Sequence, residues 1–523
     1  MKKNTIKKVL SCVLSAFLLF GVAACGDKEP TYGVLSEEEI AKIADKIPTY
    51  TDTSKQFNFI GYSGVTDGTW VEDGVTYFSG EDFRNVDRII EYKEAGMTIV
   101  LPQSAASVDT TVGDNFAFEG SKLQEVMDMS VQAGIPKVIV ADYRLYNVVG
   151  TIYQDATAYS DEAELDAKIR TLMSPYVEHE AFYGVMLNDE PGYEYLPAIG
   201  RVYKAIKRCY PEAFIFCNLY PPVGGTVGPG LVFETPSEEE LAKYAETGVY
   251  AERLAAFEKY LKQFLDETGA DYVMYDAYPL RTSGLYENYL GGLQVAANVC
   301  AERGVQFHFA SQTMTMRTPS VENDRILSEA DLRWLNNMQL GLGVKQISYF
   351  TYYTKQANSS SGEWFIDRGS FITHLGEKTD IYYYMQKILA ENQKFAPVIL
   401  SFEYTTSAAY AAPLASFGTT NASSCRVGTF AKLASVEIDK ETALVTEMYD
   451  SENNRYMYML QNIIDPQYKA STTYQKITIK FNESYEYAVV YKNAERYIVR
   501  MKDSTYTVSQ NPGEAVYVIP FNA

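Results

Sequence analysis

Eight short β-rich runs alternate with longer helix-like stretches, and this rhythm constrains the fold more than any other feature of the chain. The runs lie at residues 57–62, 97–101, 137–142, 183–188, 214–218, 272–276, 305–310 and 346–352. Stretches at 83–95, 122–133, 195–209, 237–267 and 330–340 read as helices, and Gly96, Gly134, Gly304 and Gly343 stand where a helix cap precedes a strand. Runs this apolar need cover on both faces, as in a parallel sheet flanked by helices. Eight of them make the expected fold α/β, a closed (β/α)8 TIM barrel. An open doubly wound sheet is the alternative. Against it, Gly61-Tyr62-Ser63-Gly64 after the first run is not the GxGxxG of a dinucleotide site, so no nucleotide cofactor is expected.

After a last helix-like stretch at 382–396 the pattern changes to period two. Residues 443–448, 456–460, 477–481 and 515–519 are short strands separated by turn-rich segments such as Asn511-Pro512-Gly513-Glu514, which predicts a small all-β sandwich. The N-terminus is different again. Lys2, Lys3, Lys7 and Lys8 precede an apolar run at 9–20, too short to span a bilayer stably, and Val22-Ala23-Ala24-Cys25-Gly26 resembles a bacterial lipobox. The chain therefore divides into a lipoprotein signal peptide (1–24), a lipidated Cys25 with its tether (25–55), a barrel (56–398) and a C-terminal β-sandwich (399–523). The expected address is the extracytoplasmic face of the cell membrane, with lipid on Cys25 as the anchor. Cys209, Cys217, Cys300 and Cys425 show no CxxC spacing and read as small apolar residues.

Charge narrows the partners. With 46 Lys+Arg against 67 Asp+Glu the net charge is -21, which leaves no basic footprint for nucleic acid. Only 3 His are present, so a His-rich metal site is not expected.

In a barrel of this kind the reacting groups sit at the C-terminal ends of the strands. Those ends carry Tyr62, Gln103, Asp142, Asn188-Asp189-Glu190-Pro191, Asn218, Tyr275-Asp276-Ala277-Tyr278, Gln312 and Tyr352. Sugars are bound by carboxylates, amides and aromatic faces. Asp189 and Glu190 are the sharpest pair, because adjacent acids repel and one of them should hold its proton to higher pH. A carboxyl still protonated near neutrality is the general acid that glycosidic cleavage requires. The same acids before Pro191 would also serve as a helix N-cap. Asp276 could start a turn with Tyr278-Pro279 behind it, but its place at the end of a strand puts a functional role ahead. Tyr220, Tyr278, Tyr349, Tyr352 and Trp364 are candidates for stacking on pyranose rings, whereas His308 between Phe307 and Phe309 reads as a core residue.

The eight-strand order, the N-D-E-P at the fourth strand, the Tyr-Asp at the sixth and the trailing sandwich together resemble bacterial glycoside-hydrolase barrels over most of 57–521. Two branches fit. The clan A retaining glycosidases place an Asn-Glu at the fourth strand and a second Glu at the seventh. That resemblance makes Glu190 the acid/base, but Asp189 separates it from Asn188 and the seventh strand ends in Gln312, which is no nucleophile. The Asp-Glu N-acetylhexosaminidases need no enzymic nucleophile, since the substrate's own acetamido oxygen attacks. That resemblance makes Asp189 the orienter and Glu190 the acid/base, with Tyr275 on the acetamido group and Asp276 in electrostatic support. Asn188, Tyr62, Asp142, Asn218, Tyr278, Gln312 and Tyr352 complete the expected substrate contacts. The implied activity is a lipid-anchored glycoside hydrolase acting on extracellular oligo- or polysaccharides. A non-catalytic glycan-binding lipoprotein on the same scaffold is the alternative that Gln312 keeps open. A two-lobed solute receptor is disfavoured by the strand count.

Overall fold

The structure is a computed structural model that describes residues 32–72, 75–102, 106–222, 225–285, 288–315, 325–354, 356–358, 364–366, 369–411, 422–467 and 474–523. Cys25, the leader before it and Gln103 lie outside the described residues, as does the side chain of Trp364.

The eight runs form one parallel sheet. In chain order its strands are Asn58–Tyr62, Ile99–Leu101, Val138–Ala141, Phe182–Asp189, Phe214–Asn218, Tyr272–Asp276, Gln306–Gln312 and Val344–Phe350. Each pairs with its neighbour in sequence, and the eighth pairs with the first, so the sheet curls into a barrel open only between the fifth and sixth strands. That seam is bridged. Leu219 N donates to Met274 O at 2.9 Å, while the Tyr272 hydroxyl donates to Ile215 O and accepts from Cys217 N. Alternation along the strands sorts two sets of side chains. Ile60, Ile99, Ile139, Met186, Phe216 and Met274 fill the barrel, whereas Phe59, Val100, Val140, Val185, Ile215 and Val273 meet the helices outside.

The helices depart from the sequence reading in two places. The stretch 237–267 is not continuous: Gly248 takes a φ of 58° and breaks it into short turns before the helix Ala251–Thr268. An additional helix, Tyr143–Gln154, begins at the end of the third strand. It ends beside Tyr195, at the start of the helix that follows the fourth strand. Both of its ends are therefore at the mouth, and it runs across the rim. Gly96, Gly134, Gly304 and Gly343 all take the positive φ their capping role requires.

The last barrel helix, Asp380–Ile399, is followed at once by the strand Glu403–Ala411. The C-terminal region is two-layered. Seven strands make a sheet that packs one face on three strands, Leu433–Ile438, Gln475–Phe481 and Thr505–Gln510, through Val445, Leu460, Val490 and Val518. Its other face, with Leu444, Met459, Val489 and Ile519, joins the barrel core. The tether expected over 25–55 is corrected from Tyr32 onward. Tyr32–Val34 is an edge strand on Glu495–Met501, and Ser36 with Glu39 forms a capping box for the helix Glu37–Lys42. Leu35 and Ile47 are buried there, which a solvated tether would not permit.

Candidate active site

A β-bulge builds the site. Along the fourth strand Met186 pairs with Phe216, but after Leu187 the register slips so that Asp189, not Asn188, lies opposite Asn218. The extra residue reverses which side chains face inward. Asp189 thus turns to the barrel axis, where its Oδ1 accepts from Asn218 Nδ2 at 3.0 Å. The next residue, Glu190, adopts a φ of 48°, a left-handed conformation uncommon for a residue with a Cβ, while its N–H donates to Asn218 O at 2.8 Å. Bulge and kink together bring two sequence-adjacent acids to one mouth, which a regular strand would have sent to opposite faces.

Asp276 completes the cluster from the sixth strand. It is 5 % exposed and lies beside Glu190, Asp189, Tyr278 and Asn218, with its Oδ1 lacking a protein hydrogen-bond partner. Burial, followed by the charges of Asp276 and Asp189, pushes Glu190 up to about 8, and solvent reaching it at the mouth moderates that push. Burial and the Asp189 charge raise Asp276 as well, to about 6, with Tyr278 and Asn218 beside it pulling the other way. The two titrate as a unit, with Glu190 the more strongly raised.

Aromatic rings and unspent polar atoms surround these acids. Tyr278, half-buried, stacks on Phe350 at 5.4 Å, and Tyr62 meets both Phe350 and Phe216 edge-on at 5.5 Å. The buried hydroxyls of Tyr62 and Tyr146, together with Oδ1 of Asn218, have no protein hydrogen-bond partner. Polar atoms so placed can take hydrogen bonds from a polar ligand or from water. Tyr220 and Tyr143 lie close enough to feel the acids, Tyr220 that of Glu190 and Tyr143 that of Asp189.

Several expected contacts are spent elsewhere. Asn188 folds its Oδ1 onto Asp189 N at 2.8 Å. Asp142 is fully buried, caps the helix Tyr143–Gln154, binds Arg144 at 2.6 Å and accepts from Tyr176 at 2.9 Å. Gln312 is fully buried with its amide paired to the backbone of Leu280 as a strand neighbour would be, so it offers a ligand nothing. Tyr275 has outward parity and packs among Phe257, Phe307 and Phe309. Tyr352 and Tyr349 are buried against Phe371, outside the barrel lumen. Sequence reasoning missed Tyr143 and Tyr146, whose spacing behind Asp142 was the available signal.

A cavity of about 440 Å³ opens at the opposite end of the barrel between Asn58, Tyr183, Phe214, Tyr272, His308 and Gln346. His308 there is buried, kept neutral by that burial, and hydrogen-bonded to Gln306 and Gln346, as a core residue. Asp271 and Glu403 also line the cavity, Glu403 in an ion pair with Lys345 at 3.3 Å.

No protein-family model matches the sequence, and no curated protein does. Among solved structures, a protein described as a glycoside hydrolase aligns over 92% of this chain and 98% of its own, at 10% identity and a TM-score of 0.50. A family 5 glycoside hydrolase from Bacteroides vulgatus covers 91% and 90% at 11% identity, TM-score 0.49. A family 1 β-glucosidase from Thermotoga maritima covers 66% of this chain and 99% of its own at 12% identity, TM-score 0.42. At such identity the first likeness speaks to fold, and it agrees with the strand order derived above. The chain has a (β/α)8 glycoside-hydrolase-like fold followed by a C-terminal sheet domain.

Proposed function

We propose that the protein is a glycoside hydrolase, exported and held at the membrane by lipid on Cys25, with Glu190 as general acid/base. The observation that carries this reading is the carboxyl cluster: Glu190 and Asp276 meet at the mouth beside Asp189, and burial with the neighbouring charges raises both, Glu190 the further. A proton donor and a carboxylate thus coexist at neutral pH in one mouth. Gln312 is locked to Leu280, so the seventh strand supplies no nucleophile. Attack by the substrate's own acetamido oxygen is the reading that needs no enzymic nucleophile. In that reading Glu190 protonates the glycosidic oxygen as the acetamido oxygen closes on the anomeric carbon and the leaving sugar departs. Asp189 stabilises the charge growing on the amide, and water then opens the ring with Glu190 as base. Tyr278 takes the hydroxyl role assigned to Tyr275 from sequence.

Chromogenic N-acetylhexosaminides set beside the corresponding simple hexosides test this directly. Turnover confined to the former, abolished in Glu190→Gln and Asp189→Asn, is the expected result. Loss in Asp276→Asn together with a trappable covalent fluorosugar adduct would instead make Asp276 a nucleophile. One observation favours a second reading: with Gln312 spent on the backbone, a parent that binds glycans and hydrolyses none would be a glycan-binding lipoprotein.

A further inference from the structure

The helix Tyr143–Gln154 buries Arg144, Leu145, Val148, Val149 and Ile152. The flank beside that buried face carries Tyr143, Tyr146, Gly150 and Tyr153, spaced i, i+3, i+7 and i+10 along one line of the helix. At one end Tyr143 and Tyr146 meet edge-on at 5.4 Å beside Asp189, with the buried Tyr146 hydroxyl lacking a protein partner. At the other end Tyr153 lies flat on Tyr195, ring centroids 3.8 Å apart, and the two remain 39% and 37% exposed. Between them a Cβ on Gly150 would meet nothing within 4 Å. Glu194 holds the outer end in place, accepting from Tyr153, from Tyr193 and from Gly230 N.

An isolated pair of exposed tyrosines needs no explanation. A line of them does when it starts at the acids and leaves a step open where a side chain would obstruct. We infer that this flank is the floor of a groove for an extended, unbranched glycan that runs outward from Asp189 and Glu190 across the rim. Ten residues at 1.5 Å rise make the line about 15 Å, room for about three pyranose rings, with tyrosine faces for their C–H surfaces and hydroxyls for their edges. The substrate class is therefore an oligomer or polymer rather than a single terminal sugar. This inference rests on the mouth being a glycan site and deepens it.

The test uses binding and not turnover, so that it survives failure of the enzymatic reading. Calorimetry on the Glu190→Gln chain compares cello-, xylo-, manno- and chito-oligosaccharides of two and six units. For one of these sugars the hexaose should bind roughly tenfold tighter than the biose, the size of one well-made aromatic contact. Tyr153→Ala and Gly150→Trp, each with an unchanged melting temperature, should both erase that gain, the first by removing a face and the second by filling the open step. Tyr195→Ala serves in place of either variant that melts early. No gain with length for any of the four sugars, or a gain that persists through these substitutions, overturns the groove.

Discussion

At the scale of single residues, the proton on Glu190 makes quantitative demands. If activity needs Glu190 protonated and Asp276 ionised, kcat/KM should rise through about 6 and fall through about 8, a bell whose limbs belong to the pair. Glu190→Gln should cost about 10²–10⁴-fold with a poor leaving group. Stability follows the same shift. An unfolded Glu releases its proton near 4.5 and the folded one near 8, so the folded state binds the extra proton in between. The stabilisation is whole below 4.5 and is lost as pH climbs through 8. Glu190→Gln cannot ionise and should melt above the parent at pH 9 while matching it at pH 4, as calorimetric scans would read. Asp142 makes the opposite case. Arg144 is 4% exposed and depends on it for charge, so Asp142→Asn should cost about 3–5 kcal/mol by denaturant titration. Strand-end Asp and Gln look alike in sequence whether they serve a ligand or their neighbours. Asp276 and Gln312 separate only when partners are seen, the first meeting Glu190 and the second the Leu280 backbone.

Among the elements, the strands were legible and their irregularities were not. Near-continuous apolar runs, four of them preceded by a capping glycine, announced all eight barrel strands, because each obeys a local rule. The slip at Leu187 obeys none: it is a negotiation between two strands, and only their pairing reveals that Asp189 and not Asn188 faces inward. The edge strand Tyr32–Val34 was equally hidden, since its partner lies at the far end of the chain. The seam between the fifth and sixth strands is a third case. There one side chain stands in for ladder hydrogen bonds, the Tyr272 hydroxyl serving both Ile215 O and Cys217 N. Tyr272→Phe preserves the ring packing against Phe214 and His308 but strands two buried backbone groups. It should cost about 1–3 kcal/mol and speed amide exchange at Cys217 before the rest of the barrel.

At the level of the whole molecule, the seven-stranded sheet is buried on both faces, and its barrel-side face is continuous with the barrel core. Trp334 is the centre of that junction. It is fully buried on the barrel helix Glu329–Gly341, donates from Nε1 to Ile463 O at 3.1 Å and accepts from Gln461 Nε2 at 2.9 Å. Three residues on, Asn337 Nδ2 reaches Gly513 O at 3.0 Å, while at Gly341 even a Cβ would run into Met459. A second anchor stands apart from these, with Gln294 accepting from Arg426 N and donating to Ser407. Contacts of this density leave neither part an apolar face it could expose alone, so barrel and sheets should unfold as one cooperative unit. Trp334→Ala, which removes a large buried side chain and its indole hydrogen bond to Ile463 O, should cost about 3–5 kcal/mol and lower a single transition for both parts. Hydrogen exchange read by peptide across 272–312 and 442–521 distinguishes the outcomes. Coincident loss of protection is expected, and so is the absence of a stable fragment when protease cuts near 399–403. Separate transitions for the two sets of peptides would mean that the sheet face is a docked surface rather than part of one core.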